Sequence, residues 1–234
     1  MNEKEYGAMR FGQVICLLIG IFGFVAFFAS IFLPDSLRHV VVNDTYLTHY
    51  IEHRSLFRLS NICFILFEIL SVGLISFFYM LVRPKNFALV FFASLLGAYG
   101  SFLGAIFYLR LIVYVERLYY AYMSSNQLEQ TLLLTLGMPN YDQRLFIVGL
   151  PALWWLVISI LAWTNPFIPK ILSVFGCLIG ASMLTYLVVF FIGQVALLKW
   201  VFLMTACLII VWSMLEFKFL SSVIKRNEGN IIHN

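Results

Sequence analysis

Residues 57–118 read FRLSNICFILFEILSVGLISFFYMLVRPKNFALVFFASLLGAYGSFLGAIFYLRLIVYVERL. Two apolar runs, 57–82 and 87–118, flank the turn Arg83-Pro84-Lys85-Asn86. An α-helix rises 1.5 Å per residue, so about 20 apolar residues cross a bilayer, and each run suffices. Proline breaks the helix between them, and the charges hold the turn at the water boundary. The stretch therefore predicts two antiparallel transmembrane helices.

Working outward, four more runs have the same character: 11–33, 145–163, 168–192 and 198–220. Thr164-Asn165-Pro166 separates the fourth from the fifth, and only Gly193-Gln194 separates the fifth from the sixth. The first run follows Lys4 and Arg10, as a signal peptide would. It is longer than a signal h-region and no small-x-small cleavage site follows it, so it is expected to be a retained helix. Composition agrees: 62% of residues are hydrophobic and 11% charged, against roughly 25% charged in soluble domains. Such a chain lacks the polar groups to cover a water-facing surface but suits a lipid-facing one. The net charge of +4 is small and the basic residues scatter at helix ends, which excludes a nucleic-acid stripe. Cys16, Cys63, Cys177 and Cys207 lie in apolar runs without a CxxC pair, and read as small buried residues.

Two connections exceed turn length. In residues 34–56, Asn43-Asp44-Thr45 offers N-cap side chains, after which Tyr46, Leu47, Tyr50 and Ile51 fall on one helical face. In residues 122–143, Ser124-Ser125 precedes Leu128, Leu132 and Leu136, and Gly137 and Pro139 end the pattern. Each follows an odd-numbered span, so both lie on one side. The expected fold is all-α: a polytopic membrane protein, a six-transmembrane-helix bundle forming a single domain over 1–234, with two short amphipathic interfacial helices on one side. Lys4, Arg10, Arg83, Lys85, Lys170, Lys218, Lys225 and Arg226 lie on one side, and Arg38, Arg54, Arg144 and Lys199 on the other. Leaving out Arg58, Arg110 and Arg117, which fall inside helices, that bias of 8 against 4, or 8 against 7 with them, is expected to place both termini in the cytoplasm of an inner (plasma) membrane.

Leu56-Phe57-Arg58-Leu59-Ser60 opens the second span; Leu81-Val82-Arg83-Pro84-Lys85-Asn86 with Ala88-Leu89 marks the next turn. Gln127-Leu128 opens the second loop helix, and Ile168-Pro169-Lys170-Ile171-Leu172-Ser173 precedes Gly176. In that order and spacing, from about residue 10 to 220, the chain resembles a bacterial family of six-helix integral membrane proteins carried as a domain of unknown function. The resemblance implies a fold and no mechanism.

His49-Tyr50-Ile51-Glu52-His53 matches H-x-x-E-H, a zinc-protease pattern. That chemistry needs a further ligand, and no His occurs between Arg54 and Ile232; a polar helix face is expected, with no metal. Asp35, Asp44 and Asp142 lie in loops, so no aspartyl pair is expected in the membrane. No span holds a His to activate a serine or ligate haem, and no phosphate loop occurs. The expectation is a protein that is not an enzyme and carries no cofactor.

Glu68 reads as the one ionisable residue near the middle of a span, where a charge costs roughly 3 kcal/mol on insertion scales. Arg58, Asn61, Glu68 and Ser71 share a polar stripe facing the bundle, since successive helical residues turn by about 100°. The stripe suits a ligand- or proton-binding carboxyl, or a structural glutamate bonded to a neighbouring helix. Arg110, Tyr114 and Arg117 share a face of the third span, and counting from the turn puts Arg58 and Arg110 at one level. With Arg54 they would form a basic mouth for an anionic headgroup or solute, or snorkel to lipid phosphate in partial pairing with Glu116. Gly97, Gly100, Ser101 and Gly104, and again Gly176 and Gly180, form small-residue strips that suit an intramolecular seam or a homodimer. The leading expectation is a bundle that binds or moves a small amphipathic or anionic molecule through a polar site. The alternative is a structural or regulatory membrane protein whose only partner is lipid.

Overall fold

The computed structural model describes residues 3–34, 36–37, 46–82, 86–124 and 144–232. Six helices follow one another: α1 (Glu3–Ile31), α2 (Tyr46–Val82), α3 (Phe87–Ser124), α4 (Leu150–Trp163), α5 (Lys170–Ile192) and α6 (Val195–Ile232). A π-helical turn, Leu145–Gly149, leads directly into α4. All six are long and apolar enough to cross a membrane. α1, α2, α3 and α6 extend beyond their apolar stretches at one end or both. The apolar stretch marks what lipid covers, and the backbone stays helical until a breaker intervenes. At the doubtful boundary between the last two spans, Gly193 takes φ 76° and closes α5. Its N–H donates to Phe190 O and that of Gln194 to Val189 O. Only glycine adopts this left-handed cap cheaply, so two residues make the turn.

Each helix packs on its sequence neighbours, and α1 packs on α6, closing the six into a ring. Antiparallel registers are fixed by close contacts. Ser60 Oγ donates to Ala26 O across α1 and α2 at 3.1 Å. Trp154 fills the notch at Gly97 and Pro151 that at Gly100, joining α3 to α4. Ser159 and Leu156 fill those at Gly176 and Gly180, joining α4 to α5. Both glycine strips are thus occupied by residues of the same chain. Gln13 donates to Ser221 Oγ at 2.7 Å across α1 and α6.

The outside of the ring is apolar, with Phe102, Phe167, Trp200 and Met214 at 60% exposure or more, as lipid contact requires. The half of the interior nearer the termini is the more closely packed, built on Phe78, Trp154 and Trp212 with Ile19, Val90 and Ile179 and leaving only small spaces. The other half carries smaller clusters and leaves space between them.

The first loop helix is continuous with α2 across a kink at His53 (φ −114°, ψ 19°). Tyr46, Leu47 and Tyr50 are buried against Leu111, Val115 and Leu118, whereas Ile51 is exposed. Ser124 is the last residue of α3 and bonds back to Tyr120 O, where the sequence suggested a helix start. The cap at 43–45 and the second loop helix from 125 to 143 fall outside the described residues.

Candidate functional site

A cavity of about 160 Å³ lies inside the ring. Its walls are aromatic: Phe27 meets Phe64 and Phe202 with centroids 5.2 and 4.9 Å apart, and Phe64 stacks on Tyr108 at 4.8 Å. Polar groups enter from every side of the ring, and the larger of them from α2, α3, α5 and the approach to the π-turn. Asn61 and Glu68 come from α2, Tyr108 from α3, Tyr186 from α5, and Arg144 from the residue before the π-turn. Most hydroxyls are committed locally: Ser30 Oγ donates to Phe27 O, and Thr205 Oγ1 to Val201 O. Asn61 Nδ2 donates to Phe57 O at 2.8 Å, which leaves its carbonyl as an acceptor.

Glu68 forms the floor. A Cβ built on Gly104 would stand 2.9 Å from Glu68 Oε1, so only glycine at 104 admits the carboxyl. Glu68 retains some accessible surface because it borders this cavity and also a smaller one of about 40 Å³ beneath it. Ser71, Ser101 and Ser213 line that smaller space.

Arg144 is 9% exposed, with its guanidinium 4.5 Å above the Phe190 ring and within 3.2 Å of Tyr186 Oη, to which it donates. Its placement follows from the π-turn. Pro151 lacks an N–H and its ring crowds the carbonyl four residues earlier, so the first turn of this span widens. That turn also brings Ile147 and Val148 to the cavity wall.

The residues singled out by sequence separate into two groups. Asn61, Glu68 and Ser71 face the interior. Arg58 does not: it donates to Glu116 Oε2 at 2.5 Å, beside Tyr50, which donates to the same oxygen, and Arg54, which bonds the other. Tyr114 packs against the cluster at the kinked end of α2, and Arg110 and Arg117 are exposed. An acid therefore stands at the centre of the expected basic mouth. Arg58 meets Glu116, about one and a half turns beyond Arg110, because packing and not the turn sets the register.

Two interior residues escaped the sequence reading. Arg144 was placed outside the membrane because it flanks an apolar run, and only the tertiary fold draws it in. Glu216 was overlooked although it sits within the run 198–220; Glu68 is not the sole buried acid. Glu216 is 1% exposed and neither carboxyl oxygen has a hydrogen-bond partner among the described residues. Of the H-x-x-E-H pair, His49 Nδ1 lies 2.9 Å from Ser36 Oγ, and His53 is the kink residue itself. Among the described residues no three His, Cys, Asp or Glu side chains converge as metal ligands.

A family described as "Domain of unknown function (DUF4386)" matches residues 14–220, nearly the whole ring. The chain belongs to this family. No curated protein and no solved structure matched it. For this DUF4386 chain, the match reaches all six helices and leaves the chemistry of the cavity to its own residues.

Proposed function

We propose that this protein is a non-catalytic helical bundle that binds or moves a small amphipathic molecule carrying an anionic or hydrogen-bonding group. What supports the reading is the cavity of about 160 Å³ that ends on Glu68. A solid core at Glu68 would have favoured a purely structural glutamate. A cavity near 150 Å³ accommodates a benzene-sized group, so the part of the ligand that enters is a ring or short chain. Phe27, Phe64 and Phe202 would hold its apolar part. Arg144 and Tyr186 at one end, and Asn61 and Glu68 along α2, would address its polar group. The reading sets the bundle in a bacterial inner membrane with both termini cytoplasmic. The Lys and Arg bias supports that orientation, at 8 against 3 once Arg144 is taken inside, or 8 against 6 with Arg58, Arg110 and Arg117 counted on the outer side.

Native mass spectrometry of the full chain extracted in mild detergent tests it. Wild type should carry a small co-purifying mass. Val148→Phe, which fills the cavity, should fold and lose it. Glu68→Gln keeps the shape and hydrogen bonds of a protonated acid and should melt like the parent, whereas Glu68→Leu should lose ligand. Equal ligand content in all four proteins, or none in wild type, would leave the structural reading standing.

A further inference from the structure

The polar groups of the ligand cavity are sorted by kind. Its strongest acceptors stand on α2. They are the Glu68 carboxyl and, two turns outward on the same face, the Asn61 carbonyl that the bond to Phe57 O leaves over. Its cation stands on the other side. Arg144 leads into α4 and donates to Tyr186 of α5. In a ring of six helices joined neighbour to neighbour, α5 lies across from α2. Tyr108 of α3 is within electrostatic reach of Glu68, Tyr186 and Arg144 alike.

The depths agree as well. The notch at Gly104 holds Glu68, and Gly100 lies against both Phe146 O and the Pro151 ring. Gly104 is one turn farther outward on α3, and α4 runs antiparallel to it. The Glu68 carboxyl is therefore level with the residues that open α4, Arg144 included, to within about one turn or roughly 5 Å. Acid and guanidinium border one cavity from opposite sides at similar depth.

The wall beside Glu68 is aromatic. Phe64, one turn before it on α2, meets Phe27 and stacks on Tyr108, and Phe27 also meets Phe67 at 6.4 Å. A carboxyl set among aromatic rings suits an organic ammonium, since the ring faces attract the cation and the acid neutralises it. A guanidinium suits a carboxylate or phosphate. In a low-dielectric cavity an unpaired charge is costly. An anion alone gains from Arg144 and nothing ionic from Glu68, and a cation alone gains the reverse. A ligand with both charges satisfies the two sides together.

Granted the ligand reading above, on which this rests, we propose that the molecule bound in the cavity is a zwitterion. Its ammonium lies on Glu68 among Phe27, Phe64 and Tyr108, and its carboxylate or phosphate lies on Arg144 and Tyr186. A free amino acid with an apolar side chain and the headgroup of a zwitterionic phospholipid share this chemistry.

Calorimetric titration of the full chain in a nonionic maltoside detergent tests it with three probes of one size, whose ring matches the benzene-sized space. Phenylalanine carries both charges, 3-phenylpropanoate only the anion and phenethylamine only the cation. A lipid arm offers the delipidated chain phosphatidylethanolamine and phosphatidylglycerol and reads retention by native mass spectrometry. A free solute as ligand predicts that wild type binds phenylalanine at least tenfold more tightly than either analogue. A lipid headgroup predicts instead that phosphatidylethanolamine is retained over phosphatidylglycerol. Glu68→Gln should remove the preference for phenylalanine over 3-phenylpropanoate, and Arg144→Gln that over phenethylamine. The wild-type comparisons stand even if these variants misfold. Neither preference in wild type, or a preference that survives both substitutions, overturns the zwitterion. A co-purified mass that carries one charge or none does the same and leaves the ligand reading intact. Loss of that reading would show differently, as no co-purified mass and no bound probe.

Discussion

Glu68 and Gly104 are best understood as one feature. The glycine gives up a side chain so that the carboxyl can lie against α3, with Glu68 Cδ 2.8 Å from where a Cβ would sit. Gly104→Ala is expected to push the carboxyl aside and cost about 1–3 kcal/mol, as overpacking usually does. It should appear as a lower melting temperature together with reduced ligand content. Gly7 in α1 has nothing within 4 Å of its Cβ position, so Gly7→Ala should leave stability unchanged or raise it by up to about 1 kcal/mol. Similar melting shifts in the two alanine variants would show that the close approach at Gly104 is not real. The pairing was invisible in sequence. Gly104 read as part of a packing strip and Glu68 as part of a polar stripe, and neither pattern says that one fills the other.

At the scale of elements, the kinked start of α2 is tied to α3 by a single acid. Tyr50, Arg54 and Arg58 all reach Glu116. The Arg54 and Arg58 side chains are 37% and 42% exposed, so solvent and salt screen these pairs. Each is worth at most about 1 kcal/mol. Glu116→Gln keeps the shape and the Tyr50 contact, and should lower the melting temperature slightly at low salt with the difference fading at high salt. A salt-independent loss would mean that packing, not charge, holds the segment. Arg54, Arg58 and Glu116 were legible in the sequence as neighbours. A partial pairing with Glu116 was legible too; that this one acid takes Tyr50, Arg54 and Arg58 together was not, because counting residues from the Arg83–Asn86 turn misplaces the level by more than a turn.

The whole molecule is a ring closed by its first and last helices, and this closure is directly testable. A Cβ at Gly20 would lie 3.6 Å from that of Ser213, within the span a disulfide bridges. In a background without the four native cysteines, Gly20→Cys combined with Ser213→Cys should oxidise with a membrane-permeant copper reagent to an intramolecular bond that speeds gel migration. Failure to cross-link under conditions that oxidise a surface pair would open the ring. Orientation is a separate question. With single cysteines at Ser36 and Asn86 in the same background, an impermeant maleimide on intact cells should label position 36 and spare position 86. The reverse pattern would invert the topology.

The sequence alone determined that six helices cross the membrane and that Asn61, Glu68 and Ser71 of α2 face inward, though it put Arg58 with them. Both follow from local physics: an unbroken apolar run must be helical in lipid, and a polar stripe turns away from it. Even Glu216 was there to be read as an acid within the last run. The tertiary structure decided that α1 closes on α6, that the half of the ring near the termini is the more closely packed while the other holds a cavity, and that Arg144 enters that cavity. It also decided that Glu216 is buried with neither carboxyl oxygen bonded among the described residues. These depend on side chains from distant helices meeting at one depth. That depth is set by how glycine notches, tryptophans and a π-turn pack together, and no single helix carries the information.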